Sequence, residues 1–135
     1  MNRAEGNVLI IDDEESVRFT LSRYLRGAGY TPYCAAGIMD ASSLIESEDF
    51  EAAVVDRILA NGENGLDAAE KLCRRQPSCT VVIISAYPDF ESAARAISLK
   101  VFAYLKKPVR RDQIISVIKQ AAGLSNHAGH NKRGF

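Results

Sequence analysis

Three short apolar runs, each stopped abruptly by a polar residue, limit what this chain can fold into. Ala52-Ala53-Val54-Val55 stops at Asp56, Val8-Leu9-Ile10-Ile11 at Asp12 and Asp13, and Val81-Val82-Ile83-Ile84 at Ser85. Unbroken small and β-branched residues fit strands covered on both faces, as in a parallel sheet. Open α/β sheets place their chemistry at the carboxyl ends of the strands. Three carboxylates and a hydroxyl are therefore expected on one edge.

The segments between these runs carry helical spacing. Glu14 to Ala28 sets Val17, Leu21, Tyr24, Leu25 and Ala28 on one face and Arg18, Arg23 and Arg26 on a solvated one, with Gly29 as the cap. Tyr30 to Ala35 reads as a strand whose Pro32 asks for an edge position or a strand start. Further helices are expected over Ile38 to Glu48 (Ala41, Leu44 and Ile45 inward), Leu66 to Arg75 (Ala69 and Leu72 inward), Phe90 to Leu99 behind an Asp89 N-cap, and Arg111 to Ala122 (Ile114, Ile115 and Ile118 inward). Ala103 to Lys106 is a fifth strand, and the Asn- and Gly-rich stretch 57–65 is a turn.

Five strands alternating with five helices give a doubly wound α/β sheet with right-handed crossovers. Residues 123–135, Gly- and Asn-rich without apolar period, read as a flexible tail or linker stub. His127 and His130 in that tail lack the helical-bundle context of a phosphodonor.

At 135 residues one domain can bury a core without staples. Seventeen basic residues balance seventeen acidic ones, so no basic field points to nucleic acid or membrane. Cys34, Cys73 and Cys79 lack metal-ligand spacing and are expected as buried or inert thiols, which fits a reducing cytosol. No apolar run approaches a bilayer span and no signal-peptide core opens the chain, so the expected localisation is cytoplasmic.

Clustered acids repel by several kcal/mol at intermediate dielectric and need neutralising. Oxygen-only ligands suit Mg²⁺, which binds through one or two carboxylates, waters and a substrate phosphate. Lys107 adds a positive point charge after the fifth strand, Ser85 a hydroxyl donor, and Ala86 leaves room beside it. The set reads as a phosphoryl-accepting carboxylate with its metal, cation and hydroxyl.

Ile-Ile-Asp12-Asp13-Glu14, Val-Val-Asp56, Ile-Ile-Ser85-Ala86 and Tyr104-Leu105-Lys106-Lys107-Pro108, in this order and strand context, resemble the receiver domain of two-component response regulators. The resemblance covers residues 6–122 and implies the flavodoxin-like (βα)5 fold with strand order 2-1-3-4-5. It implies that Asp56 is phosphorylated by a sensor histidine kinase or a histidine phosphotransfer protein, with Mg²⁺ held by Asp13, Asp56 and the Ile58 carbonyl and by Asp12 largely through water. Lys107 and Ser85 would contact the phosphoryl group, and Ser85 and Tyr104 would move in the switch. The output surface implied is helix 4, strand 5 and helix 5, facing a downstream protein, a fused effector domain or a second copy. Such a domain catalyses its own phosphorylation and dephosphorylation without being a metabolic enzyme.

The chain departs from the commonest family pattern at Ala60, where Pro is usual, at Gly65, one residue later than in the shortest members, at Lys100-Val101 in place of Gly-Ala, and at Val109 in place of Phe. Ile58 and Tyr87, each two residues past a site residue, are expected to hinder the attacking water and prolong the phosphorylated state. A haloacid-dehalogenase-type phosphatase would want a second acid at Ile58. A phosphorylation-independent module has no need of the full set, and a flavin protein would meet repulsion from Asp12-Asp13-Glu14.

Overall fold

A computed structural model describes residues 5–134, with side chains through 124. Five parallel strands form one sheet in the order β2-β1-β3-β4-β5. The strands are β1 (Asn7–Ile11), β2 (Thr31–Ala35), β3 (Ala52–Asp56), β4 (Thr80–Ser85) and β5 (Ala103–Lys106). The helices are α1 (Glu15–Gly27), α2 (Ile38–Ser47), α3 (Gly65–Arg75), α4 (Phe90–Ser98) and α5 (Arg111–Gly134).

The period-two alternation of each strand sorts its apolar residues between two cores. Leu9, Ile11, Ala53, Val55, Val81 and Ile83 pack with Ala41, Ile45, Leu66, Leu72 and Ala96 on the face of α2, α3 and α4. Val8, Ile10, Ala52, Val54, Val82 and Ile84 pack with Leu21, Leu25, Ile114 and Ile118 on the face of α1 and α5. All five residues of β3 are buried, as its central place requires. Pro32 sits in β2, which is an edge strand, so its missing N–H costs no ladder bond.

Most element bounds fall within a residue or two of expectation, and two features need correction. The last helix does not end at Ala122; its backbone is helical through Gly134. A single glycine in a helix interior costs only about 1 kcal/mol relative to Ala, and no proline follows to stop the ladder. The side chains of His127 and His130 lie outside the described residues. Cys34 is exposed on the edge strand, its Sγ 3.1 Å from Ser22 Oγ, whereas Cys73 is half-buried and Cys79 buried. Burial pushes both of the latter thiols up.

The extra residue in the β3–α3 loop is taken up by a 3₁₀ turn, Ala60–Gly62, with Asn61 at φ 62°. Asn is the residue that tolerates the left-handed region best after Gly. The loop closes through an Ile58–Asn64 bridge and brings Gly65 against β3. A Cβ at Gly65 would stand 1.8 Å from the Asp56 carbonyl oxygen, so only Gly lets α3 start there. The α4 C terminus is a Schellman motif: Val101 N–H donates to the Ala96 carbonyl and Lys100 N–H to that of Ile97. Lys100, at φ 60°, occupies the left-handed position of that motif, which explains the family's usual Gly there.

Candidate functional site

Register fixes the site before any side chain does. Ile11 pairs with Val55, Asp56 with Ile84, and Ser85 with Lys106. Asp12, Asp56, Ser85 and Lys107 therefore emerge from four neighbouring strands at one edge.

Asp12 is fully buried, Asp56 is 4% exposed and Ser85 is fully buried. Asp12, Asp13 and Asp56 each offer a carboxylate oxygen within 4.8 Å of the other two. Lys107 Nζ donates to Asp56 Oδ2 at 2.9 Å, stands 2.9 Å from Asp12 Oδ2, and lies 3.6 Å from Glu14 Oε1. Backbone groups hold the other oxygens: Glu14 N–H donates to Asp12 Oδ1 at 2.9 Å and Ile58 N–H to Asp56 Oδ1 at 3.2 Å. The Lys107–Pro108 peptide is cis.

Burial raises the Asp56 pKa above the usual carboxylate range; the Lys107 hydrogen bond opposes it and the Asp12 charge adds to it. Burial alone would lower Lys107, but its contacts with Asp12 and Asp56 outweigh that and raise its pKa well above the ordinary value. One ammonium thus faces three acids beside it. Asp12 Oδ2, fully buried, meets the Lys107 ammonium at 2.9 Å in a geometry poor for a hydrogen bond. Three carboxylates that offer oxygen ligands alone, with one ammonium among them, fit a hard divalent cation.

Ser85 Oγ accepts from Tyr87 N–H at 3.1 Å and from Arg57 Nε at 3.3 Å. Both lone pairs are then occupied, and among the described residues nothing accepts its hydrogen. Tyr104 is half-buried against the α2–α4 core, and its hydroxyl meets Ser92 Oγ on α4 at 2.7 Å. Ile58 and Tyr87 flank the cluster, 47% and 74% exposed.

Three residues in contact with the site, Arg57, Glu14 and Arg18, have no role there in the sequence reading. Arg57 was passed over, although a cation directly after the central acid was a visible signal. Glu14 is given no place at the site beyond its membership of the Asp12-Asp13-Glu14 run, yet it adds a third acid around Lys107. Arg18 was assigned to a solvated face, but it donates to the Asp12 carbonyl at 2.8 Å and braces the β1–α1 turn.

Residues 8–119 match the family described as the response regulator receiver domain. The chain belongs to that family. A putative NtrX-like response regulator of Rickettsia typhi is 34% identical over 116 residues, which are 85% of this chain and 24% of that protein. The chain thus spans about a quarter of such a relative's length. A receiver-domain structure from Methanospirillum hungatei superposes with TM-score 0.86 at 24% identity, over 90% of this chain and 97% of that one. A response regulator of Burkholderia pseudomallei, solved with a phosphorylated aspartic acid and a calcium ion, gives TM-score 0.79 at 29% identity, over 93% and 74%. Among the described residues no helix is long and apolar enough to cross a membrane.

Proposed function

We propose that this receiver takes a phosphoryl group from a phosphohistidine of a sensor histidine kinase or phosphotransfer protein onto Asp56. The observation that carries the reading is the buried Asp56 carboxylate between one Lys107 ammonium and two further acids. An oxygen of Asp56 attacks phosphorus, the P–N bond breaks, and the imidazole nitrogen keeps the electron pair. Lys107 and the free Ser85 hydrogen are placed to meet the phosphoryl oxygens as charge builds on them.

Asp12, Asp13, Asp56 and the Ile58 carbonyl would hold Mg²⁺. When bound, the ion neutralises phosphoryl charge and the repulsion among the acids. A groove lined by Val17, Thr20, Leu21, Ala86, Pro108 and Val109 opens beside Lys107 and offers the donor an apolar approach. Water later hydrolyses the acyl phosphate, past the side chains of Ile58 and Tyr87.

Residues 6–122 form the receiver, acting in the cytoplasm, with 123–135 as the link towards a fused effector or a downstream protein. The exposed apolar residues Phe90 and Ile97 lie on α4, within the helix 4, strand 5 and helix 5 surface that would carry the output. No direct contact with nucleic acid or membrane by this segment is required. A test uses phosphoramidate, a small donor with the same P–N bond. A Mg²⁺-dependent acyl phosphate signal by phosphorus NMR, absent in Asp56→Ala, is expected. Equal labelling of that variant would overturn the assignment.

A further inference from the structure

The Arg57 side chain is only 13% exposed although it follows the site's central acid in a loop. Its guanidinium bridges three groups. Nε donates to Ser85 Oγ at 3.3 Å, NH2 donates to the Tyr87 carbonyl, and NH2 stands 3.6 Å from Asp89 Oδ2. The planar fork of Arg suits such multiple contacts, where the ammonium of Lys is a single point charge.

Asp89 is in turn the N-cap of α4. Its Oδ1 accepts from Ser92 N–H at 2.7 Å, its own N–H donates to Ser92 Oγ at 3.4 Å, and the pair forms a capping box. The same Ser92, buried at 5% exposure, holds the Tyr104 hydroxyl. A continuous polar path therefore runs from Ser85 through Arg57, Asp89 and Ser92 to Tyr104. Each member is held by a hydrogen bond or an ion pair, and the five come from β4, the β3–α3 loop, the turn before α4, α4 and β5.

We infer that Arg57 is a positioning residue that orients the Ser85 hydroxyl as a donor towards Asp56 and ties its movement to the α4 cap and Tyr104. With Arg57 Nε and Tyr87 N–H on its lone pairs, Ser85 has only its hydrogen to offer. A phosphoryl oxygen that draws Ser85 forward draws on the guanidinium, and the Asp89 cap at its other end shifts with it. The coupling is then carried by one bistable contact set rather than by diffuse packing. The inference rests on Asp56 being the phosphoryl acceptor.

The test compares wild type with Arg57→Gln, Arg57→Lys and Asp89→Asn. Asn caps a helix about as well as Asp, so the last variant removes charge and spares the cap. Intact mass reports phosphorylation by acetyl phosphate with Mg²⁺, and amide and ¹⁹F-tyrosine NMR report Ser92 and Tyr104. Arg57→Gln is expected to displace the Ser92 and Tyr104 signals in the unphosphorylated protein, although Arg57 bonds to neither. Phosphorylation is expected to move those signals less than half as far in Arg57→Gln and Asp89→Asn as in wild type, with Arg57→Lys between. Signals at wild-type positions in unphosphorylated Arg57→Gln, or a full-sized response in the phosphorylated variants, overturn the relay. Failure of the wild type to gain a phosphoryl group would instead overturn the acceptor reading, while the unphosphorylated comparison still decides whether Arg57 is linked to Tyr104.

Discussion

Lys107 is the residue on which the charge balance of the site turns. It is the ammonium that reaches both buried acids, so Lys107→Met leaves them to repel each other and removes a donor aimed at the phosphoryl group. Its rate of phosphorylation by acetyl phosphate is expected to fall about 100-fold, the usual effect of losing one such donor, measured by intact mass against time. Asp56 carries the opposite strain. Its folded pKa is raised, so the group destabilises the native state once pH rises above the folded value, and the cost vanishes below the unfolded value of about 3.9. With a chelator present, Asp56→Asn should melt above wild type at pH 7.5, with the two curves converging in acid. A variant that melts lower at pH 7.5 contradicts the burial argument. Ile58 and Tyr87 follow Asp56 and Ser85 by two residues and are exposed, and the expectation that they hinder the attacking water is open to test. Ile58→Asn and Tyr87→Glu should speed loss of the phosphoryl group several-fold, read as the decay of the phosphorylated mass; unchanged decay in both would remove the shielding role. Asp12, Asp13, Asp56, Ser85 and Lys107 were legible because each ends an apolar run or follows one. Arg57 was not, because only the folded loop shows that its side chain turns back across Ser85 instead of into solvent.

At the scale of elements, two of the four departures from the common family pattern, Lys100 and Gly65, are backbone matters. Lys100 pays for a left-handed residue that Gly would adopt freely, in a C-terminal motif otherwise complete. Lys100→Gly is expected to stabilise the protein by about 1 kcal/mol, seen as a higher urea midpoint with unchanged slope; a lower midpoint would contradict the strain argument. Gly65 is the converse. Its Cβ would meet the Asp56 carbonyl and Val55 Cγ1, both parts of the central strand, so Gly65→Ala should cost about 3 kcal/mol and displace Asp56 itself. The same urea titration checks it, and a loss below 1 kcal/mol would show that α3 can retreat. The one-residue lag of Gly65 was visible in the sequence. Its reason was not, since the left-handed Asn61 and the 3₁₀ turn absorb the insertion in three dimensions.

For the whole molecule, the alternation of five strands with five helices was legible because periodicity separates strand runs from helical ones, whereas the strand order was legible only through the receiver resemblance. The extent of α5 beyond Ala122 was not, since Gly- and Asn-rich composition weighs against helix on propensity alone, while a helix already begun needs only to propagate. The two cores cover opposite faces of the sheet whose β1 and β3 ends carry the acids. The most direct test is intact mass after incubation with acetyl phosphate, with Mg²⁺ or with chelator, for wild type and Asp56→Ala. One phosphoryl group gained by wild type in Mg²⁺ alone is the expected result. No gain under conditions that phosphorylate a control receiver, or an equal gain by Asp56→Ala, would contradict it.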